Sequence, residues 1–97
     1  MYYRIVKKIE CIIKGQVHGV GFRDFICQSA RGFGLVGEVR NLPDGTVRII
    51  AQGEEKNLLN LIQSIHKGPM FAKVESVETT WSEAKDQYDD FKIVLRD

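Results

Sequence analysis

The chain reads as an α+β two-layer sandwich, an antiparallel sheet with two helices on one face. Three observations predict it. Ile9, Cys11 and Ile13 alternate with Glu10 and Lys14, the period-2 signature of a half-buried strand. Two later stretches repeat apolar residues at three- and four-residue steps, the stripe of an amphipathic helix. Turn residues then punctuate further alternating stretches, as antiparallel strands require.

The first strand is expected over residues 6–14, and the glycine-rich loop Gly15-Gln16-Val17-His18-Gly19-Val20-Gly21 ends it. Phe22, Phe25, Ile26, Ser29, Ala30 and Phe33 share one helical stripe, and Gly32 and Gly34 supply the stop. Leu35 and Val39, then Val47, Ile49 and Ala51 beyond the turn Leu42-Pro43-Asp44-Gly45, alternate with polar or small neighbours. They form two strands joined as a hairpin, the second closed by Gly53. Leu58, Leu61, Ile62 and Ile65 mark a second helix over residues 54–66, with Glu54 and Glu55 at its positive end and Lys67-Gly68-Pro69 as its stop. Residues 74–81 are mixed in period but rich in Val and Thr, which favour strands. A polar connection over residues 82–89 leads to Phe91, Ile93 and Leu95, which face one way on a clear strand. The order is βαββαβ with room for an extra short strand at the end of the chain. Such a ferredoxin-like, split βαβ arrangement buries both helix stripes and one sheet face.

Ninety-seven residues form one compact domain, residues 1–97, too small for a second or a separate cofactor domain. With 43% hydrophobic and 28% charged residues, order is expected nearly throughout. The net charge of +1, from 14 basic and 13 acidic side chains, creates no field that would draw nucleic acid or an anionic membrane. Any anion must be held by a local device. Apolar runs are short, and Met1-Tyr2-Tyr3-Arg4 lacks the layout of a secretory signal, so a soluble cytoplasmic protein acting as a monomer is expected. Cys11 and Cys27 form no Cys-x-x-Cys, and His18 and His66 are far apart in sequence. Two reduced thiols, no metal site and no cofactor follow as expectations.

Gly15, Gly19 and Gly21, between a strand and a helix start, let the backbone fold around an anion with several N–H groups pointing inward. The helix start adds unpaired N–H groups and the positive end of its dipole. A flexible connector has the same composition. Arg23 distinguishes the two readings. It falls in the first helical turn, where a cation opposes the dipole, and a bound anion removes that conflict. Its planar guanidinium fits two phosphate oxygens. Asn41 ends a strand, where Asn also serves as a turn residue, but it shares the inward parity of Val39. A buried amide there needs partners, and a ligand or water can supply them.

Other phosphate chemistries fit poorly. No Lys-Ser or Lys-Thr follows the glycines, and Gly19-Val20-Gly21-Phe22-Arg23-Asp24 breaks the dinucleotide fingerprint at its last glycine. Cys27 comes a helical turn after Arg23 and Cys11 lies inside the preceding strand, so neither is placed as a thiolate nucleophile. His18 sits in the loop, where a histidine is most often structural or solvent-exposed, and no carboxylate is suitably spaced to orient it as a base. Arg31-Gly32-Phe33-Gly34-Leu35-Val36 resembles part of an RNA-recognition motif, yet Leu35 and Glu38 stand where stacking aromatics belong.

Gly15-Gln16-Val17-His18-Gly19-Val20-Gly21-Phe22-Arg23 resembles the acylphosphatase signature Gly-x-Val-Gln-Gly-Val-x-Phe-Arg. Gly37-Glu38-Val39-Arg40-Asn41, with Gly45-Thr46-Val47 and Gly53, resembles that family's second signature. Gly68-Pro69, Ala72-Lys73-Val74 and the ending Tyr88-Asp89-Asp90-Phe91-Lys92-Ile93 extend the similarity over nearly the whole chain. The resemblance implies metal-independent hydrolysis of the carboxyl-phosphate anhydride of a small-molecule acyl phosphate. It implies phosphate binding by the backbone of Gln16, Val17, His18, Gly19, Val20, Gly21 and Phe22 and by Arg23, with Asn41 holding the attacking water. A phosphate or carbamoyl-phosphate binding module without turnover is the alternative. Two residues depart from the family pattern: His18 replaces the usual Gln, and Glu38 the usual aromatic. An imidazole in the loop implies a pH dependence near neutrality and altered loop hydrogen bonding. Glu38 has outward parity and is expected to change a surface rather than the site.

Overall fold

Alternation along the first strand separates two faces of a sheet in the computed structural model, which describes residues 6–19, 21–85 and 88–95. In β1 (Lys7–Gln16), Ile9, Cys11 and Ile13 are fully buried, while Lys8, Glu10 and Ile12 look to the other side. The remaining elements are α1 (Phe22–Gly32), β2 (Val36–Asn41), β3 (Val47–Gly53), α2 (Glu55–Lys67), β4 (Lys73–Glu83) and β5 (Phe91–Val94). The strands form one sheet in the order β4-β1-β3-β2-β5. The arrangement is the expected ferredoxin-like one, with a fifth strand added.

Both helices lie on the face that carries Ile9, Cys11 and Ile13. Helix α1 presents Phe22, Ile26, Cys27 and Ala30 to β2 and β5, and α2 presents Leu58, Leu61 and Ile65 to β3 and β4. Each large side chain so buried contributes about 1.5–3 kcal/mol of transfer free energy. The stripes read from the sequence are therefore the surfaces that join the two layers. Cys11 and Cys27 are free and buried. Burial pushes the Cys11 thiol above its ordinary pKa, only partly offset by its hydrogen-bonding contact with Thr79.

Four details differ from expectation. Strand β1 continues to Gln16 because β4 goes on pairing with it beyond a bulge at Lys14 and Gly15. Strand β4 runs past both expected ends, and its mixed period reflects an edge strand with no fully buried residue. Strand β5 is parallel to β2 rather than antiparallel, since β4 and β5 occupy opposite edges and run in opposite directions. Leu95 does not share the burial of Phe91: it lies beyond the end of β5 and is 76% exposed.

Glu38 faces away from the helices, as its parity predicts. Its carboxylate accepts hydrogen bonds from Arg40 Nε and Nη2 at 2.9 and 2.7 Å and from the Tyr88 hydroxyl at 3.2 Å. Val20, the polar residues Asp86 and Gln87, and the stretch Met1-Tyr2-Tyr3-Arg4 lie outside the described residues.

Candidate active site

The site lies where β1 delivers the chain to α1. Val17 turns back into the core and is nearly fully buried, while His18 and Gly19 emerge at the surface. Gly19 and Gly21 both take left-handed backbone angles, with φ of 71° and 73°. A side chain at either position would strain the backbone, so the glycines here are required by the loop's path. Gly21 is also the N-cap of α1, and among the described residues no side chain caps that helix end. Its first-turn N–H groups are thus left for another acceptor.

Next to these donors stands Arg23, half-buried in the first turn of α1. Among the described residues nothing forms an ion pair or side-chain hydrogen bond with its guanidinium. Helix α1 itself is anchored at the other end. Arg31 Nε donates to the carbonyl of Phe91 at 3.1 Å, and Cys27 Sγ lies 3.4 Å from the same oxygen. The helix that carries Arg23 is thereby fixed to β5.

Asn41 arrives from β2, at the root of the hairpin, and lines the same cleft as Val17, His18, Gly19, Gly21 and Arg23. The cleft encloses about 310 Å³, enough for a phosphoryl group and part of a small substrate. Asn41 Oδ1 is buried and, among the described residues, has no hydrogen-bond partner. An orphaned buried carbonyl of this kind costs about 1–3 kcal/mol unless a ligand or water satisfies it. The expectation that Asn41 points inward and needs a partner agrees with this geometry.

Not every residue expected at the site falls there. Gln16 is held in β1 opposite Lys73 and is not among the cleft residues. Val20 lies outside the described residues. Conversely, Asp24, Ile93 and Leu95 line the cleft without having been singled out. Asp24 could have been suspected as the neighbour of Arg23, whereas Ile93 lies on, and Leu95 just beyond, an edge strand whose place in the sheet has no local sequence signal. His18 Nε2 lies 2.9 Å from the carbonyl oxygen of Gly45, in the turn between β2 and β3. A carbonyl only accepts, so Nε2 carries the proton. Both the neutral Nε2–H ring and the imidazolium can make this bond.

Residues 9–93 match the acylphosphatase family. The chain is 42% identical over 87 residues to an acylphosphatase of Salinibacter ruber, with 90% of this chain and 92% of the relative covered. The crystal structure of the acylphosphatase from Bacillus subtilis superposes with a TM-score of 0.88 at 35% identity, covering 91% of this chain and 98% of that one. An acylphosphatase structure from Coxiella burnetii gives 0.85 at 31% identity, covering 97% and 100%. Fold and relatives together define a small α+β hydrolase of phosphorylated compounds. The chain belongs to the acylphosphatase family, the enzymes that hydrolyse acyl phosphates.

Proposed function

We propose that this acylphosphatase cleaves small-molecule acyl phosphates without a metal ion, holding the phosphoryl group with the loop backbone and Arg23 and orienting the attacking water with Asn41. The observation that carries this reading is one cleft shared by an unpaired guanidinium and an orphaned amide oxygen. The first can offset charge on a phosphoryl dianion, and the second can accept a hydrogen bond from water.

The chemistry asks little more of the protein. Water oxygen forms a bond to phosphorus, the bond from phosphorus to the carboxyl oxygen breaks, and its electron pair leaves with the carboxylate. The proton released by water passes to a phosphate oxygen, so the products are a carboxylate and inorganic phosphate. A carboxylate is a good leaving group, and catalysis reduces to positioning and to charge stabilisation on the transferring phosphoryl group. The neutral Asn41 amide orients water without removing its proton. Backbone N–H groups of Val17, His18, Gly19, Gly21 and Phe22, with Val20 between them, and the fork of Arg23 supply the stabilisation. Gln16, proposed with them, is paired with Lys73 in the sheet and so approaches the phosphate from the end of β1.

The enzyme is further proposed to work as a single-domain cytoplasmic monomer without a nucleic-acid or membrane partner. Its near-zero net charge offers nothing to draw a nucleic acid or an anionic membrane, and no described helix is long and apolar enough to cross a membrane. Hydrolysis of benzoyl phosphate in the presence of a chelator tests the central reading. Turnover that disappears with the chelator and returns with added metal would reject metal independence. Tight phosphate binding with no turnover would favour the binding-module alternative.

A further inference from the structure

The β2–β3 turn is braced from within. Leu42 N donates to Thr46 O at 2.9 Å, Gly45 N donates to Leu42 O at 3.1 Å, and Asp44 Oδ1 accepts from Thr46 N and Thr46 Oγ1 at 3.0 and 2.6 Å. Gly45 takes φ of 90°, which sets the direction of its carbonyl. The turn is therefore a fixed point one strand end away from Asn41. The loop of residues 17–21 is built differently. Among its described residues, the backbone hydrogen bond found outside the regular elements is Gly21 O accepting from Phe25 N at 3.0 Å. Among these described residues, N–H groups kept for a ligand do not themselves hold the loop in place. Among the described residues, it is tied to the Asn41 side of the cleft by the contact from His18 Nε2 to Gly45 O at 2.9 Å.

We infer that His18 is a positioning residue whose ring clamps the phosphate loop to the β2–β3 turn, setting the spacing between the bound phosphoryl group and the water on Asn41. The inference rests on the roles given above to the loop and Asn41. In this role the ring acts through the Gly45 carbonyl rather than on the reacting atoms. Releasing it leaves the donors and Arg23 in the chain but frees the loop to sample other distances from Asn41. Positional losses of this kind appear chiefly in turnover, since the reaction needs water and phosphorus aligned while phosphate binding needs only the cradle.

The test compares benzoyl phosphate kinetics, inhibition by inorganic phosphate and thermal midpoint for the native enzyme and for His18→Ala, His18→Leu and His18→Gln. The clamp predicts a fall in kcat of about tenfold for Ala and Leu, with the phosphate inhibition constant changed by less than about threefold. Gln, whose amide can donate to the same carbonyl, restores most of the turnover. A uniform loss that follows the thermal midpoint, without rescue by Gln, would overturn the positioning role. So would native kcat in Ala and Leu. Long-range proton–nitrogen NMR gives an independent readout: the clamp requires a proton on Nε2, and a neutral ring protonated only on Nδ1 contradicts it. Arg23→Ala is assayed beside these variants. Its native-like turnover would overturn the site and the clamp together, whereas a severe loss there with unaffected His18 variants would overturn the clamp alone.

Discussion

Asn41 pairs across the hairpin with Val47, and Val47 pairs in turn with Ile13, so a single row across three strands ties the amide to the strand that feeds the phosphate loop. Val47 and Ile13 are both fully buried, which makes that row part of the core.

Val47→Ala is expected to loosen this row. Loss of buried methyl groups should cost about 1–3 kcal/mol in urea unfolding. Turnover of the folded enzyme should fall as well, because Asn41 is then held less firmly opposite the loop. Full native kcat in a measurably destabilised variant would show that the row does not position the amide.

The turn next to Asn41 provides a pH test. Hydrogen bonds from the Thr46 side chain and backbone hold the Asp44 carboxyl below its ordinary pKa. A depressed folded value means that the contribution to folding is present above the unfolded carboxylate value of about 3.9 and is lost as pH falls through the lower folded value. Thr46→Val should move the Asp44 titration upward toward the ordinary value, as followed by carboxyl carbon NMR. An unchanged titration would mean that the Thr46 hydroxyl is not the main cause.

Arg23 should trade stability for ligand binding. A cation in the first helical turn opposes the dipole, so Arg23→Ala without phosphate is expected to be as stable as the native protein or up to about 1 kcal/mol more stable at low salt. Excess inorganic phosphate should then stabilise the native protein and leave the variant nearly unmoved, since only binding to the folded state raises stability. Equal phosphate stabilisation of both proteins would remove Arg23 from the cradle.

Much of this was legible in the sequence because its signals are local. Alternation places Ile9, Cys11 and Ile13 on one face, the stripe of α1 follows from residue spacing, and Arg23 stands out by conflict with its own helix dipole. The parity of Asn41 with Val39 correctly directs it inward. What escaped depends on distant pairing. Strand β5 runs parallel to β2 only because β4 takes the far edge, and Ile93 and Leu95 reach the cleft for that reason. The contact of His18 with Gly45 likewise depends on two loops meeting across the sheet. Strand β4 showed mixed alternation because an edge strand buries too little to impose a clean pattern.

The division of labour in the cleft is tested most directly by measuring benzoyl phosphate turnover and phosphate inhibition together for Asn41→Ala and Arg23→Ala, with chelator present. Removing the group that orients water should lower kcat by about 10²–10³-fold in Asn41→Ala while phosphate inhibition stays near native. Removing the guanidinium should lower turnover by at least as much and weaken phosphate inhibition as well. Native turnover in either folded variant, or phosphate inhibition lost in Asn41→Ala but kept in Arg23→Ala, would contradict the account.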